Sequence, residues 1–524
     1  MKPSLKSLSF LVLLLSVLAC TKKKDVSDTI RMRLPGEPPT LDWSLATDNV
    51  SKEVIQNLQE GLVQQNADSK AQPAMAESWS ISADGKTYTF HLKSDLKWSD
   101  GQLLTAQQFV DSWERLLNPK TAAEYAYFLF DLIGAEEYQK GTLKDFTKVG
   151  VKAPDAKTLI VQLKRPVAYW IFVPSFWVTF PIRKDVIAQH GDKWTEAGNL
   201  VSNGPYILKE WQHESRILLE KNPHYAHTPE TQDMPGRAEF RVVKEDSTAV
   251  ALFQSGDMDI VRNLPPVQVS ALASLKEFVA SPYFRGYYVG FNLKDPIVSD
   301  LKVRRALAYA IDRNELNSIK ALDPRITPAK SWIPPGMVGF SEARGLDFNP
   351  ELAKKLWSEL SKKPQTIELW FDQQEFNKIV AENLQAQWKR VLGIDVQLSN
   401  QEWKVYLKTL RTKAPALWRM GWGADYPDPD TFMNLFTCAS GNNFSGMCNK
   451  SFDTLIQQAS SRGSDGERQS AYDKAQKILL EDEVAIVPLF TETNLHLVTQ
   501  RVIGFRVNPM GDFEFKNLKL KMKK

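Results

Sequence analysis

Three apolar runs, QTIELWF (365–371), IDVQLS (394–399) and ALWRMGW (416–422), are separated by two stretches with helical spacing, about 375–392, closed by Gly393, and 401–411. Strand-length runs alternating with helices build a parallel sheet with right-handed crossovers, so this β-α-β-α-β order predicts an α/β lobe. Ligands of such sheets lie in the crevice beyond the carboxyl ends of the strands. Asp425 follows the third run at once, in GADYPDPD (423–430), which makes that loop the first candidate for a binding site.

Upstream of this unit, residues 301–320 read as one amphipathic helix with Val303, Leu307, Ala310 and Ile311 on a common face. Asn349 and Pro350 occupy the cap and first-turn positions of another. Before Gly286 the pattern is different. Apolar and polar residues alternate in Thr29 to Leu34 and in KTYTFHLK (86–93), as in half-buried strands. TAQQFVDSWERLL (105–117) reads as a helix capped by Thr105. VKAPDAKTLIVQLK (151–164) reads as two strands joined through a Pro-Asp turn. No period of about 20 to 50 residues recurs, which excludes solenoids and propellers.

The 524 residues are 43% hydrophobic and 24% charged, which excludes a disordered or low-complexity chain and predicts several cores. Lys and Arg number 66 against 62 Asp and Glu, without a basic stripe, so nucleic acid is not an expected partner. The N-terminus MKPSLKSLSFLVLLLSVLAC (1–20) is an export signal: two lysines, then a run from Leu8 to Ala19 that is shorter than the roughly 20 residues of a membrane span. VLAC resembles a lipobox, with residues 1–19 as signal, Cys20 as the lipidated first residue and 20–24 as a tether; the alternative is a plain secretory cut with Cys20 incidental. The remainder is expected outside the cytoplasm, where Cys438 and Cys448 can close TCASGNNFSGMC (437–448) as a disulfide. Two free thiols or a metal pair are the other readings of these cysteines, although no third ligand stands nearby.

Catalytic motifs are missing: no HExxH, no GxSxG and no phosphate loop occurs. Gly421-Trp422-Gly423 lacks the third glycine of a dinucleotide fingerprint. His224 and His227 fall in the turn-like NPHYAHTPE (222–230), and Asp425, Asp428 and Asp430 lack the glycine and bidentate Glu of a calcium loop. No metal, no cofactor and no enzymatic activity is therefore expected. Aromatic residues make up 10% of the chain. A carboxylate between Trp422 and Tyr426 at a crevice suits an amphipathic cation.

Six blocks in order, EPPTLDW (37–43), AESWSISADGKTYTFHLKSDLKWSDG (76–101), GDKWTEAGNLVSNGPYILKEW (191–211), VRRALAYAIDRNEL (303–316), NQEWKVYLKTL (400–410) and GWGADYPDPDTF (421–432), resemble the extracytoplasmic peptide-binding proteins of ABC importers. These are the oligopeptide- and dipeptide-binding proteins, and the resemblance runs from about residue 30 to the end. It implies a periplasmic-binding-protein fold of class α/β, with two mixed α/β lobes around a hinged ligand crevice plus an extra domain. Domain I would comprise 25–58, 183–284 and 494–524, domain II 59–182 and domain III 285–493. Short peptides would be held between domains I and III by a monomer and passed to an ABC permease with its ATPase. Lipid at Cys20 would tether the protein to a membrane.

The resemblance also implies site residues. Asp425 would anchor the peptide's α-ammonium, with Asn400, Trp403, Trp422, Gly423 and Ala424 along the crevice. Of the positions where oligopeptide-binding members place basic residues for the carboxylate, only Arg419 is retained. The others fall on Leu410, beside Arg411, and on Ala321, beside Lys320. Dipeptide-binding members share the Cys438 to Cys448 loop, yet their arginine ahead of the third-domain helix has no counterpart in WFDQQEFN (370–377). Ligand length stays open between two and about five residues. The same fold could instead take a murein peptide or a metal chelate, or act as a peptide sensor or chaperone.

Overall fold

Two long strands, Phe278–Phe291 and Ile486–Val498, run antiparallel through the middle of an eleven-stranded sheet in the computed structural model, which describes residues 28–225, 231–319, 324–461 and 463–521. The expected signal, Cys20, the tether, His227, Lys320 and Ala321 lie outside the described residues. In chain order the sheet contains β1 (Thr29–Leu34), β2 (Tyr206–Gln212), β3 (Arg216–Lys221), β4 (Arg237–Val242), β5 (Ile260–Arg262), β6 (Phe278–Phe291), β7 (Ile326–Pro328), β8 (Thr366–Asp372), β9 (Asp395–Gln401), β10 (Leu417–Gly423) and β11 (Ile486–Val498). Across the sheet the order is β9-β8-β10-β6-β11-β5-β1-β4-β3-β2, with β7 on the flank of β11.

The β-α-β-α-β unit is present. β8 pairs parallel with β9 and with β10, and the helix Glu375–Leu392 ends at Gly393, whose φ of 71° is the left-handed geometry that glycine adopts freely. The second helix spans Trp403–Lys413 rather than 401–411, because Asn400 and Gln401 continue β9 opposite Phe371 and Asp372. The single helix expected over 301–320 is two, Leu301–Tyr309 and Arg313–Asn317. Asp312 breaks it by capping the second piece, its side chain accepting from the Asn314 N–H at 2.9 Å. Asn349 caps Pro350–Ser358 through the Leu352 N–H at 3.0 Å, as its position predicts.

Each face of this sheet lobe carries its own core. Val289, Leu369 and Leu384 belong to one cluster, and Tyr288, Trp418 and Phe452 to another, as alternation on buried strands demands. The other lobe is assembled from distant segments: Ile30 of β1, Phe240 of β4 and Ile260 of β5 share one core with Phe515 and Leu518 near the C-terminus.

Residues 76–162 add a smaller antiparallel sheet of Ala76–Ile81, Thr87–Leu92, Thr158–Gln162 and Val151–Lys152. The helix Ala106–Leu117 lies beside it, with the Gln108 side chain accepting from the Thr105 N–H at 2.9 Å in a capping box. Its Trp113 meets Trp170 edge-on, at 6.3 Å between ring centroids. This segment shares the apolar core of the first lobe and has none of its own among the described residues. Cys438 and Cys448 are joined, with 4.6 Å between their Cα atoms.

Gly290 is where β6 passes under Trp418: a Cβ there would fall 2.2 Å from the indole ring. Both residues are held in paired strands, so neither can give way. Gly290→Ala should lower stability by about 1 to 3 kcal/mol, read as a lower urea midpoint with an unchanged slope; an unchanged midpoint would refute this account of the contact.

Candidate ligand crevice

A cavity of about 780 Å³ opens where the lobes meet. The first lobe contributes the polar stripe of helix α1 (Asn49–Leu58), whose Val54, Ile55 and Leu58 face inward while Lys52 and Gln56 face the cavity. The 76–162 lobe and its flanks contribute Tyr125, Phe176 and Trp177. The sheet lobe contributes Trp403 and the end of β10 from Met420 to Asp425. The crevice thus lies beyond the carboxyl end of β10, where the strand order places it.

The loop after β10 is held so that one carboxylate is left over. The Ala424 N–H donates to the Phe284 carbonyl of β6 at 2.8 Å, which continues the ladder past Gly423. Thr431 then gathers the loop: its Oγ1 accepts from the Asp425 N–H at 3.1 Å and from Trp422 Nε1 at 3.3 Å, and donates to Asp425 Oδ2 at 3.4 Å. Asp428 is buried and held by Arg468 Nη2 at 2.5 Å, and Asp430 accepts from the Tyr426 hydroxyl at 2.9 Å. These two aspartates are therefore committed to the turn. Asp425 has no cation within ion-pair distance among the described residues. Burial pushes its carboxyl up to about 6, against the opposing pull of the Thr431 hydroxyl and the Lys52 charge.

Lys52 is not free to neutralise it. Its ammonium pairs with Asp512 and lies 5.5 Å from the centre of the Trp177 ring. An unpaired, half-buried carboxylate between aromatic walls lacks only a cation, and the ring faces would help to hold one.

The structure gathers Trp403, Trp422, Gly423, Ala424 and Asp425 on the cavity wall and places the other candidates elsewhere. Arg419 is 4% exposed and turned inward: its Nη1 donates to Asp372 Oδ1 at 2.7 Å, and its guanidinium lies 3.9 Å from the centre of the Tyr287 ring. Asn400 is exposed on β9, and Arg411 is exposed on the helix Trp403–Lys413. Residues absent from the sequence reading are Lys52, Tyr125, Trp177, Arg285 and the 504–518 segment. Only α1 carried a signal, in the spacing of Lys52, Gln56 and Gln59 along its polar side. The rest reach the crevice through long-range packing.

Comparison with known proteins agrees with this architecture. Residues 70–444 match the family described as bacterial extracellular solute-binding proteins, family 5 Middle, and the chain belongs to that family. The chain is 34% identical to the periplasmic oligopeptide-binding protein OppA of Escherichia coli over 476 residues, 87% of this chain and 85% of that protein. It is 32% identical over 494 residues to the probable deoxycholate-binding periplasmic protein YgiS of the same organism, 91% of each chain. Its fold superposes on the unliganded open form of the periplasmic murein tripeptide binding protein MppA with a TM-score of 0.82, at 30% identity, over 94% of this chain and 97% of that one.

If Asp425 pairs with a cationic ligand it must be ionised to do so, and affinity would then be full well above pH 6 and fall as pH drops through that value. The empty protein responds in the opposite sense: a carboxyl raised by folding makes it more stable as pH falls from about 6 toward the usual carboxylate range. Trialanine, titrated calorimetrically, should bind about tenfold more weakly at pH 5 than at pH 7, and Asp425→Asn should bind weakly without that dependence. A wild-type affinity that stays flat across this range would remove Asp425 from the contact.

Proposed function

We propose that the protein is the substrate-binding component of a peptide ABC importer, capturing short peptides between its lobes and delivering them to a membrane permease. The observation that carries this reading is Asp425, a carboxylate without a cation, facing a cavity of about 780 Å³ beyond the end of β10. A free peptide supplies the missing ammonium. Edge groups of the crevice can take its main chain as an added strand, giving affinity without dictating side chains.

In this reading residues 25–58, 183–284 and 494–524 form domain I, 59–182 domain II and 285–493 domain III. The ladder of β6 and β11 is the hinge, and closure of domain III on domain I presents a loaded face to the permease. The protein acts as a monomer, tethered outside the cytoplasm through lipid on Cys20. Family membership and the relatives' names support import over an enzymatic role. The deoxycholate-binding relative raises a second ligand class, but deoxycholate is an anion, and the uncompensated Asp425 carboxylate opposes an anion where it favours an ammonium.

Asp425→Ala should cost about 3 to 5 kcal/mol of peptide binding, since it strands the ligand ammonium in a desolvated site. N-acetylation of the peptide should cost a comparable amount. Native mass spectrometry of the purified protein, followed by denaturation, should release a mixture of peptides with free N-termini. One defined non-peptide compound would refute the peptide reading while leaving the fold intact.

A further inference from the structure

Most of the charges that line the crevice already have a partner. A second chamber of about 550 Å³ continues the first and shares Asn49, Tyr283 and Arg285 with it. Among the cations of both chambers, Lys52 pairs with Asp512, Arg262 with Glu53, Arg285 with Glu492 at 3.6 Å and Arg506 with Asp68 at 3.7 Å. Burial and the Arg262 charge push His496 down to about 3, so it is neutral. Among the carboxylates, Glu60 and Glu514 share Lys516, Asp246 pairs with Arg33 at 2.7 Å, and Asp48 caps α1. Among the described residues, the lining carboxylates without a counter-ion are Asp48, spent on its cap, and Asp425 in the first chamber, and the one lining cation without a counter-ion is Arg325 in the second. Among the described residues Arg325 has no carboxylate within ion-pair distance, and its guanidinium lies 5.7 Å from the centre of the Phe376 ring.

Strand register sets the spacing of the two strands that lead to Asp425 and Arg325. Trp422 of β10 is opposite Gly286 of β6, Gly286 opposite Thr491 of β11, and Thr491 opposite Thr327 of β7. Three strand spacings make about 14 Å. Every pairing on this path is antiparallel, so β10 and β7 run in opposite directions. Asp425, three residues after Trp422, and Arg325, two before Thr327, therefore leave the sheet at the same end and flank one crevice.

We propose that Arg325 receives the C-terminal carboxylate of an extended peptide whose ammonium is held at Asp425, and that their separation favours about four residues, each rising about 3.4 Å. This rests on the peptide-binding reading above. Arg325 is not among the positions at which the family resemblance placed a basic group, which fall on Arg419, Leu410 and Ala321. Arg419 is occupied by Asp372.

Alanine peptides of two to six residues, as free acids and as C-terminal amides, would be titrated calorimetrically into the wild type, Arg325→Gln and Arg325→Lys. The wild type should bind tetraalanine best and its amide about 10- to 100-fold more weakly. Arg325→Gln should bind the acid as weakly as the amide at an unchanged melting temperature, keep the penalty for N-acetylation, and be partly rescued in Arg325→Lys. If Arg325→Gln still distinguishes acid from amide as the wild type does, or if affinity shows no optimum near four residues, the assignment of Arg325 fails while peptide binding stands. If no alanine peptide binds at all, both fail.

Discussion

The ladder between β6 and β11 is the constraint on which the molecule depends, because it is the backbone connection that both lobes share. One end of it, Phe278 opposite Leu497, is buried with the first lobe, and the other, Gly290 opposite Ile486, lies in the sheet lobe. Between them the register slips from Pro282 to Gly286, and Tyr283 and Arg285 in that gap line both chambers. A regular ladder would leave no such break at the crevice floor. The C-terminal segment closes over the gap, with the Phe284 N–H donating to the Pro509 carbonyl at 2.7 Å.

The sheet lobe was legible because each of its elements advertises itself locally. Ile367, Leu369 and Phe371 are buried on one strand, Gly393 stops a helix, and Asp425 follows a strand end where crevice residues belong. The break at Asp312 was hidden because Val303, Leu307 and Ile311 keep helical spacing right up to it. Capping chemistry decided against continuation there. The first lobe was less legible, since β1 pairs with β4 and β5, some 200 residues away, and no local pattern states that register.

The site shows the same division. Trp403, Trp422 and Asp425 could be found from their loops and from a family resemblance. Arg419 could be found in the same way, yet Asp372 lies across a parallel pair and claims it, and that contact exists only once β8 and β10 are neighbours. Arg325 carries no local mark at all. Its significance comes from subtraction, after every other cation along the crevice has been paired among the described residues.

The route of the chain through the first lobe bears on how the protein must be made. Phe515 and Leu518 belong to the core that encloses Ile30, and Lys516 is buried between Glu60 and Glu514. The Phe515 N–H donates to Asn57 Oδ1 at 3.1 Å across 458 residues of sequence. That core cannot close before residues 515–518 have been synthesised, because Phe515 and Leu518 are part of it. Contacts of such sequence separation slow folding. The sheet lobe, whose residues are contiguous from β6 to β11, can form first and leave the first lobe open until Leu518 has been added.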